Sequence, residues 1–268
     1  MNRFGKIPCS VEILTRNSEK TLERCLKSVK DFADIIVLDG NSTDRTQEIA
    51  TRYGARIFKQ YETDESAVRI RDFSEVRNKG LRAAQFDWFM FIDADEYLSK
   101  EAVEEIRAIV ENSNPPAYVW WQPRKYVLDG TIIDCATTYP NRQIRFFHRL
   151  HVTEFVKPIH ERIDVLPGEK ISTLKNFEYL PVEPLEGLKE RWGRYINQEI
   201  ELVFKKGKRK VLRAIWRNFS LFAFYTFRYI RNQIFCRGTH MPFSYEWARH
   251  SHVLSAGFRL IPRLFKRK

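Results

Sequence analysis

The alternation of short apolar segments with helical patterns over the first 110 residues constrains the fold of this chain more than any other feature. Four of these segments read as strands, and the segments between them carry apolar residues at helical spacing. The predicted strands are Ile7–Leu14, Ile35–Leu38, Ala55–Phe58 and Phe86–Ile92. This β-α-β-α order predicts an α/β fold with a doubly wound, mostly parallel sheet, in which the continuous apolar run at 86–92 is a central strand.

The pattern changes twice further along the chain. From about Pro115, strand-like segments are joined by turns that contain glycine and proline, and helical patterns return from about Pro184. The later predicted strands are Tyr118–Val127, Ile144–His148 and Glu161–Val165. The sequence therefore predicts an α/β domain over residues 1–183 and a helical region over residues 184–268.

The formal net charge of +12 is concentrated towards the end of the chain. Residues 187–268 contain 19 basic and 4 acidic side chains, whereas residues 1–186 contain 27 basic and 30 acidic ones. Within 207–235 and 253–268 the basic residues are interleaved with aromatic and aliphatic ones, as in basic amphipathic helices at a membrane interface. This region favours a polyanionic partner, either an anionic membrane or nucleic acid. Packing of the aromatic stripe on the α/β domain, or an oligomer contact, stays open.

The cysteines and the apolar runs bear on the cellular compartment. Cys9, Cys25, Cys135 and Cys236 show neither close pairing nor metal-ligand spacing, so the sequence gives no sign of a disulfide framework and favours a reducing compartment. No uninterrupted apolar stretch reaches the ~18 residues of a membrane-spanning helix. The first ten residues lack the apolar segment of a secretory signal.

Polar side chains follow the predicted strands at the points where ligands bind in open α/β sheets, beyond the carboxyl ends of the strands. Thr15 and Asn17 follow the first strand, Asp39 follows the second, and Asp93 and Asp95 follow the apolar run at 86–92. Acidic groups this close together repel one another unless a cation is present, and Mg²⁺ is commonly held by one or two carboxylates together with substrate phosphates. On these residues alone, a metal site and a capped turn are equally open interpretations.

Three arginines and one glutamate in the predicted α/β domain are expected to have charged partners. Arg77 lies near the start of a predicted helix, where it can clamp a pyrophosphate or pair with Glu75 or Asp72 on the surface. Arg142 and its neighbour at position 145 lie on a predicted strand, so one of them can face donor phosphates. Glu12 lies inside the first strand, and an unpaired buried carboxylate is costly. We therefore expect Glu12 to reach an arginine or to lie at the rim of the sheet.

Four segments in this order resemble the family 2 glycosyltransferases with the GT-A fold. They are SVEILTRNSEKTLERCLKSV, IIVLDGNSTDRTQEIATRYGA, FSEVRNKGLRAA and FMFIDADE. The later segments RQIRFFHR and VKPIHERI and the helical tail are most similar to the lipopolysaccharide-core glucosyltransferase branch, whose members are bacterial and peripheral to the inner membrane. The resemblance implies a GT-A catalytic domain over residues 1–183 and an inverting transfer of a hexose from a UDP-sugar.

The resemblance also implies roles for the polar residues that follow the predicted strands. The backbone near Thr15 and Asn17, together with Asp39, would hold the nucleobase, and Arg77 would face the diphosphate. The DXD motif falls on Asp93-Ala94-Asp95. Asp93 would approach the ribose or the ion, and Asp95 would ligate Mn²⁺ or Mg²⁺ bridging the diphosphate.

The catalytic base of the family falls on Glu161, within Ile159-His160-Glu161. A carboxylate there would take the proton of the acceptor hydroxyl during in-line attack. Pairing of Glu161 with Arg162 at the surface is the alternative. His160 can be a third metal ligand, a partner of the base or a structural histidine.

The resemblance implies a glycan or glycolipid acceptor and a place on the cytoplasmic face of the bacterial inner membrane, with the basic helices on the anionic lipid surface. Nucleic acid is then not expected as a partner, and an oligomer stays open. Two alternatives remain from the residues. One is a nucleotidyltransferase, although its usual glycine-rich phosphate loop is absent after the first strand. The other is a nucleic-acid-binding protein that uses the basic run KKGKRK, for which no recognition motif is present.

Overall fold

The computed structural model describes residues 5–158, 161–205 and 207–265. It contains two compact units. The first takes in the chain up to Lys125 and Pro140–Leu180, and the second takes in Tyr126–Tyr139 and Pro181–Lys268. The 126–139 segment thus belongs with the helical end of the chain and not with the α/β unit.

Most of the strands belong to the first unit. The strands are β1 (Ile7–Thr15), β2 (Phe32–Asp39), β3 (Arg56–Lys59), β4 (Trp88–Asp93), β5 (Tyr97–Leu98), β6 (Val119–Leu128), β7 (Thr131–Ile132), β8 (Asn141–His148), β9 (Val152–Val156), β10 (Arg162–Val165), β11 (Ile171–Thr173) and β12 (Glu178–Pro181). The helices are α1 (Leu22–Val29), α2 (Thr46–Arg52), α3 (Phe73–Ala83), α4 (Lys100–Val110), α5 (Leu185–Lys205), α6 (Lys208–Phe235) and α7 (Phe243–Leu260).

The main sheet has the strand order β3-β2-β1-β4-β8-β6-β12-β5. Strands β3, β2, β1 and β4 are parallel, as the alternating strand and helix pattern predicts. From β4 onward the sheet is mixed, because β8 is antiparallel to both β4 and β6. The strands that the first 93 residues build are thus all parallel, whereas the rest of the sheet is mixed, with β11 parallel to β6.

Helices cover both faces of the parallel half. The side chains of Cys9, Val11 and Ile13 alternate along β1 and pack with α1, α2 and α4 in one apolar cluster. On the other face, Leu14 of β1 packs with Val76 of α3. The predicted α/β class with helices on both faces of the sheet is confirmed.

Helix α3 positions much of the site described below. Asp72 caps it by accepting a hydrogen bond from the backbone N–H of Glu75 at 3.1 Å. Arg77 follows one turn later on the buried face of the helix. Asn78 donates to the carbonyl of Phe155 at 3.0 Å and accepts from its N–H at 2.8 Å, so α3 also fixes strand β9.

The second unit is built on α5, α6 and α7, which share an apolar cluster. Its 126–139 segment is joined to the end of α6 by a disulfide between Cys135 and Cys236. The expectation that the sequence contains no disulfide is therefore wrong for this pair, because the fold brings together two cysteines 101 residues apart. Cys9 and Cys25 are free and buried. Among the described helices, even the 28-residue α6 lacks the apolar character that crossing a bilayer requires.

Candidate active site

The carboxyl ends of three parallel strands bring the predicted polar residues to one edge of the sheet. In the β1–β2 register Thr15 lies opposite Asp39, and in the β1–β4 register Leu14 lies opposite Asp93. Asp95 follows Asp93 in the turn after β4 and is exposed. The edge has the position at which open α/β sheets bind ligands.

Asp39 is buried and organises the loop after β2. Its Oδ1 accepts from Thr15 Oγ1 at 2.8 Å and Ser42 Oγ at 2.6 Å. Its Oδ2 accepts from the N–H of Ser42 and from Gln47 Nε2, both at 2.8 Å. Each of the two oxygens therefore accepts from two protein donors. The predicted contact of Asp39 with a nucleobase would require one of these oxygens to accept a further hydrogen bond.

Asn17 fixes the same loop from the β1 side. Its backbone has φ of 50°, in the left-handed region that asparagine tolerates better than most residues. Its Oδ1 accepts from the N–H of Thr43 at 2.8 Å, and its own N–H donates to Ser42 Oγ at 2.8 Å. Asn17 and Asp39 thus hold the two ends of one short loop, and their role toward a nucleobase stays a prediction.

Asp93 lies between two arginines. Arg77 Nη2 donates to its Oδ1, and Arg145 Nη2 donates to its Oδ2 at 3.0 Å. Burial alone would raise the pKa of Asp93, but Arg145 and Arg77 lower that pKa well below its usual value. The Asp93 side chain is 40% exposed, so an ionised carboxylate faces the sheet edge with its orientation fixed by two guanidinium groups.

Arg77 is 1% exposed, and each edge of its guanidinium faces a carboxyl group. Nη1 donates to Glu12 Oε1 at 3.0 Å, Nη2 donates to Asp93, and Nε lies 3.6 Å from Glu161 Oε1. The expectation that Glu12 reaches an arginine is confirmed. The alternative pairing of Arg77 at the surface is wrong, because the helix face that carries Arg77 packs on the sheet. A direct contact between Arg77 and a diphosphate stays a prediction.

A second group of buried charges adjoins Asp93. Arg145 Nη1 donates to Glu96 Oε2 at 2.6 Å and lies 3.1 Å from Glu178 Oε1. Arg124 Nη2 donates to Glu96 Oε1 at 2.6 Å. Burial would raise the pKa of Glu96, but Arg145 and Arg124 lower it, whereas burial raises the pKa of Glu178 well above its usual range.

Three arginines and five carboxyl groups make up the described part of this network. Burial raises the pKa of Glu12 to about 8, although Arg77 lowers it in part. The raised pKa values favour the protonated forms of Glu12 and Glu178, whereas the lowered pKa values of Asp93 and Glu96 favour their carboxylates. The arginines are Arg77, Arg124 and Arg145, and the carboxyl groups are Glu12, Asp93, Glu96, Glu161 and Glu178.

Glu161 lies beside the same guanidinium that holds Asp93. Its side chain is 14% exposed, and its Oε1 lies 3.6 Å from Arg77 Nε. The anchoring of β9 by Asn78 brings the chain leading to Glu161 against α3. A role as base stays a prediction, and His160 lies outside the described residues.

The remaining predicted residues are exposed. Asp95 has its carbonyl oxygen bound by Arg24 Nη2 at 3.3 Å. Arg142 lies over the ring of Trp121, 5.2 Å from its centroid, whereas Trp120 is buried in the core. Within residues 5–158, 161–205 and 207–265, no cluster of three or more His, Cys, Asp or Glu side chains has a metal-binding arrangement.

Sequence reasoning missed Glu96, Glu178 and Arg124 as members of this network. Glu96 stands in the acidic run after β4, so its position was visible but its inward direction was not. Arg145 and Arg142 were open alternatives, and the structure buries Arg145 and exposes Arg142. Residues three apart on a regular strand point to opposite faces, but the register between β6 and β8 shifts at Arg145, so the spacing alone does not determine which of the two is buried.

Comparison with known proteins yields one family and several partial relatives. The family model of glycosyl transferase family 2 matches residues 10–158. A TPR repeat-containing protein of Synechococcus elongatus is 36% identical over 156 residues, which cover 58% of this chain and 35% of that protein. An uncharacterized glycosyltransferase of Rickettsia bellii is 29% identical over 229 residues, which cover 80% of this chain and 75% of that protein. The chain thus spans about a third of the first relative and three quarters of the second.

Among solved structures, residues 1–349 of TarS from S. aureus in complex with UDP-GlcNAc are 20% identical to this chain. The alignment covers 66% of this chain and 59% of that one, with a TM-score of 0.48.

Proposed function

This chain belongs to glycosyl transferase family 2, and we propose that it transfers a hexose from a UDP-sugar to a glycan acceptor with inversion at the anomeric carbon. The family assigns the enzyme class, which displaces the nucleotidyltransferase and the nucleic-acid-binding alternatives. The donor, the metal, the acceptor and the location are parts of the proposal.

One observation carries the proposal for the donor. The ends of β1, β2 and β4 bring Thr15, Asp39 and Asp93 to one edge of the sheet, with the exposed Asp95 next in the chain. Fixed polar groups at this edge suit a nucleotide, and the carboxylates suit a cation shared with its diphosphate. Arg142 is an exposed cation on β8, and in the proposal it supports the donor phosphates.

The donor set fits a divalent ion of the Mn²⁺ or Mg²⁺ type. Asp95 offers an exposed carboxylate, and Asp93 is ionised and 40% exposed. Two carboxylates and a diphosphate are enough for such an ion, so a third protein ligand is not required. Such an ion would act as a Lewis acid that offsets the charge of the departing UDP. His160 as an additional ligand is part of the proposal.

The proposed base is Glu161. Arg77 Nη2 donates to Asp93, and Arg77 Nε lies beside Glu161. In the proposal, one guanidinium thus sets the distance between Asp93, which faces the UDP-sugar, and Glu161, which faces the acceptor hydroxyl. In a single displacement Glu161 takes the proton of the acceptor hydroxyl as that oxygen attacks the anomeric carbon. The leaving UDP departs on the opposite side, so an α-linked donor gives a β-linked product.

The proposed acceptor is a lipid-linked glycan, as in the lipopolysaccharide-core branch, at the cytoplasmic face of the inner membrane. Support comes from apolar side chains that α6 and α7 leave exposed within a strongly basic region. Five of them lie along one side of α6 and are called the α6 stripe: Leu212, Trp216, Phe227, Ile230 and Ile234. Helix α6 also exposes Phe224 and Phe235, and α7 exposes Phe243, Trp247 and Phe258. Aromatic and basic side chains together favour the interface of an anionic bilayer.

Calorimetric titration of the protein with UDP, in Mn²⁺ and in EDTA, tests the nucleotide and the metal together. We expect binding in Mn²⁺, at least tenfold weaker binding in EDTA, and loss of this metal dependence in Asp95→Asn. Glu101→Gln, which neutralises an exposed acid in the first turn of α4, is the matched control and should behave as wild type. A wild-type protein that binds no UDP, or a UDP affinity that EDTA leaves unchanged, would contradict the proposal.

A further inference from the structure

Glu12 is a carboxyl side chain at the centre of the sheet. It is 0% exposed, and its residue pairs in register with Ile36 of β2 and with Phe91 of β4. An apolar residue at this position would satisfy the core without the cost of burying a carboxyl group. Apolar packing therefore does not account for a carboxyl side chain at position 12.

The neighbouring helix makes room for this side chain. Gly80 of α3 lies against it so closely that a Cβ atom on Gly80 would stand 2.2 Å from Glu12 Oε2. No real side chain fits at that distance, so a residue larger than glycine at position 80 must displace Glu12. The long acid on β1 and the missing side chain on α3 therefore form a matched pair.

Glu12 has one hydrogen-bond partner among the described residues, and that partner is Arg77. Oε1 accepts from Arg77 Nη1 at 3.0 Å, and Oε2 is buried without a hydrogen bond within the described part of the chain. A guanidinium is planar and rigid, so a contact that fixes Nη1 also fixes the directions of Nη2 and Nε. The ring of Phe91, 4.6 Å from the guanidinium carbon, supports its face.

The other two edges of this guanidinium face the proposed reaction groups. Nη2 donates to Asp93, and Nε, which makes no hydrogen bond within the described residues, lies 3.6 Å from Glu161. We propose that Glu12 is a positioning residue for glycosyl transfer, which sets the plane of Arg77 and thereby the placement of Asp93 and Glu161. This inference rests on the proposed function, since it gives those two carboxylates their roles.

Substitution at position 12 separates positioning from simple core packing. Glu12→Gln keeps the side-chain length and an oxygen that accepts from Arg77, whereas Glu12→Leu keeps apolar volume and removes the acceptor. We expect Glu12→Leu to lower kcat by roughly 10- to 100-fold, the scale that small misplacements of reacting groups produce. Glu12→Gln should restore kcat to within about threefold of wild type, and the affinity for UDP in Mn²⁺ should change less than kcat in both variants.

Two further variants keep the test decisive if Glu12→Leu does not fold. Gly80→Ala displaces Glu12 without removing it and should lower kcat as Glu12→Leu does. The double variant Glu12→Gln with Gly80→Ala should show the same loss of kcat. Ser10→Ala is the matched control, because Ser10 is equally buried on the same strand but donates to Asp34 at 2.6 Å. It should lower the melting temperature and leave kcat unchanged.

The outcomes distinguish this inference from the proposed function. Wild-type kcat in a folded Glu12→Leu or Gly80→Ala variant would overturn the positioning role while glycosyl transfer by the wild type still stands. Equal losses in Glu12→Gln and Glu12→Leu would also overturn it, because the acceptor oxygen would then be irrelevant. A wild-type protein that neither binds UDP nor transfers sugar would instead remove the proposed function itself.

Discussion

The buried carboxyl groups of the first unit differ in the number of donors that each one receives. Among the described residues, Asp39 has four hydrogen-bond donors on its two oxygens, whereas Glu12 has one donor on Oε1 and none on the buried Oε2. Donors stabilise the ionised form of a carboxyl group, and burial opposes it. Asp39 therefore holds a loop in place, and Glu12 carries a burial cost that an apolar residue would avoid.

Asp39→Asn should destabilise the protein even though the two side chains have the same shape. An amide has one accepting oxygen, so the NH₂ group meets either Thr15 Oγ1 and Ser42 Oγ or the N–H donors of Ser42 and Gln47. Leaving a buried donor without an acceptor costs about 1–3 kcal/mol. Urea titration should show this loss in the free energy of unfolding, and calorimetry should show weaker UDP binding. Wild-type stability in the variant would contradict the four-donor arrangement.

The raised pKa of Glu12 predicts a pH dependence of stability. The folded protein binds this proton up to about pH 8, whereas the unfolded chain loses it near 4.5, so ionisation of the unfolded state alone favours unfolding between these values. The contribution is fully present below about pH 4.5 and is lost as the pH rises to about 8. The limiting slope is about 1.4 kcal/mol per pH unit.

The difference in unfolding free energy between wild type and Glu12→Gln isolates this effect, because the other carboxyl groups are common to both proteins. We expect the difference to move in favour of Glu12→Gln as the pH is raised from 5 to 8 in urea titrations. A difference that stays constant over this range would show that Glu12 ionises normally in the folded state.

The sequence predicted which residues reach the edge of the sheet, but not the buried network behind them. Asp39, Asp93 and Thr15 were accessible because each directly ends or follows an apolar strand. Glu178 was not, since it pairs with Leu98 in a sheet position that depends on a crossover far along the chain. Arg124 follows the buried Gln122 by two residues on β6, so strand alternation gives its inward direction, but its partner Glu96 lies 28 residues away in the chain.

At the scale of elements, local patterns predicted the parallel half of the sheet better than the rest. The strands β1 to β4 lie close to their predicted bounds because apolar runs and helix caps mark them locally. Strand β8 pairs antiparallel with β4 and β6, and no strand-helix-strand pattern in the sequence indicates this pairing. The mixed part of the sheet beyond β4 was therefore not predicted. The disulfide was missed for the same reason, since its cysteines are 101 residues apart.

Cys236→Ser should destabilise the second unit. The Cys135–Cys236 bond closes a long loop, and removal of a native disulfide typically costs about 2–5 kcal/mol. The 126–139 segment should keep part of its contact with α6 and α7. Glu246 still accepts from the N–H of Thr137 at 2.8 Å, and Arg228 still donates to the carbonyl of Thr137 at 3.1 Å. Dithiothreitol should lower the melting temperature of wild type and leave that of the variant unchanged.

The control is Cys9→Ser, which removes a free buried thiol and leaves the disulfide in place. This variant should keep the response to dithiothreitol. A wild-type melting temperature that does not respond to the reductant would show that the bond contributes little or is not formed.

At the scale of the whole molecule, the charge distribution was visible in the sequence, whereas the exposed apolar surface was not. Which face of α6 meets solvent depends on where α5 and α7 pack, and this follows from tertiary contacts such as that of Phe219 with Phe258. The structure leaves the α6 stripe from Leu212 to Ile234 outside those contacts. At 1.5 Å per residue, these 22 steps extend over about 33 Å.

Trp216→Ala combined with Phe227→Ala should weaken binding to vesicles rich in phosphatidylglycerol. These side chains are 76% and 63% exposed, so their removal should leave the free energy of unfolding nearly unchanged. Each loss of apolar contact with lipid is expected to cost about 1–2 kcal/mol, or roughly tenfold in partitioning. Neutral phosphatidylcholine vesicles should bind the wild type more weakly, because each basic residue near anionic lipid contributes about 1 kcal/mol.

Leu150→Ala removes a side chain that is 71% exposed in the first unit and serves as the matched control. If exposed apolar area anywhere on the molecule drove the association, this variant would also bind less, and the α6 stripe would lose its special role. If the double variant binds vesicles as tightly as wild type, and salt weakens the binding of both proteins equally, the basic residues alone account for the binding. Loss of binding in the double variant alone requires the aromatic side chains of α6 to enter the lipid interface, as a lipid-anchored acceptor at that surface would favour.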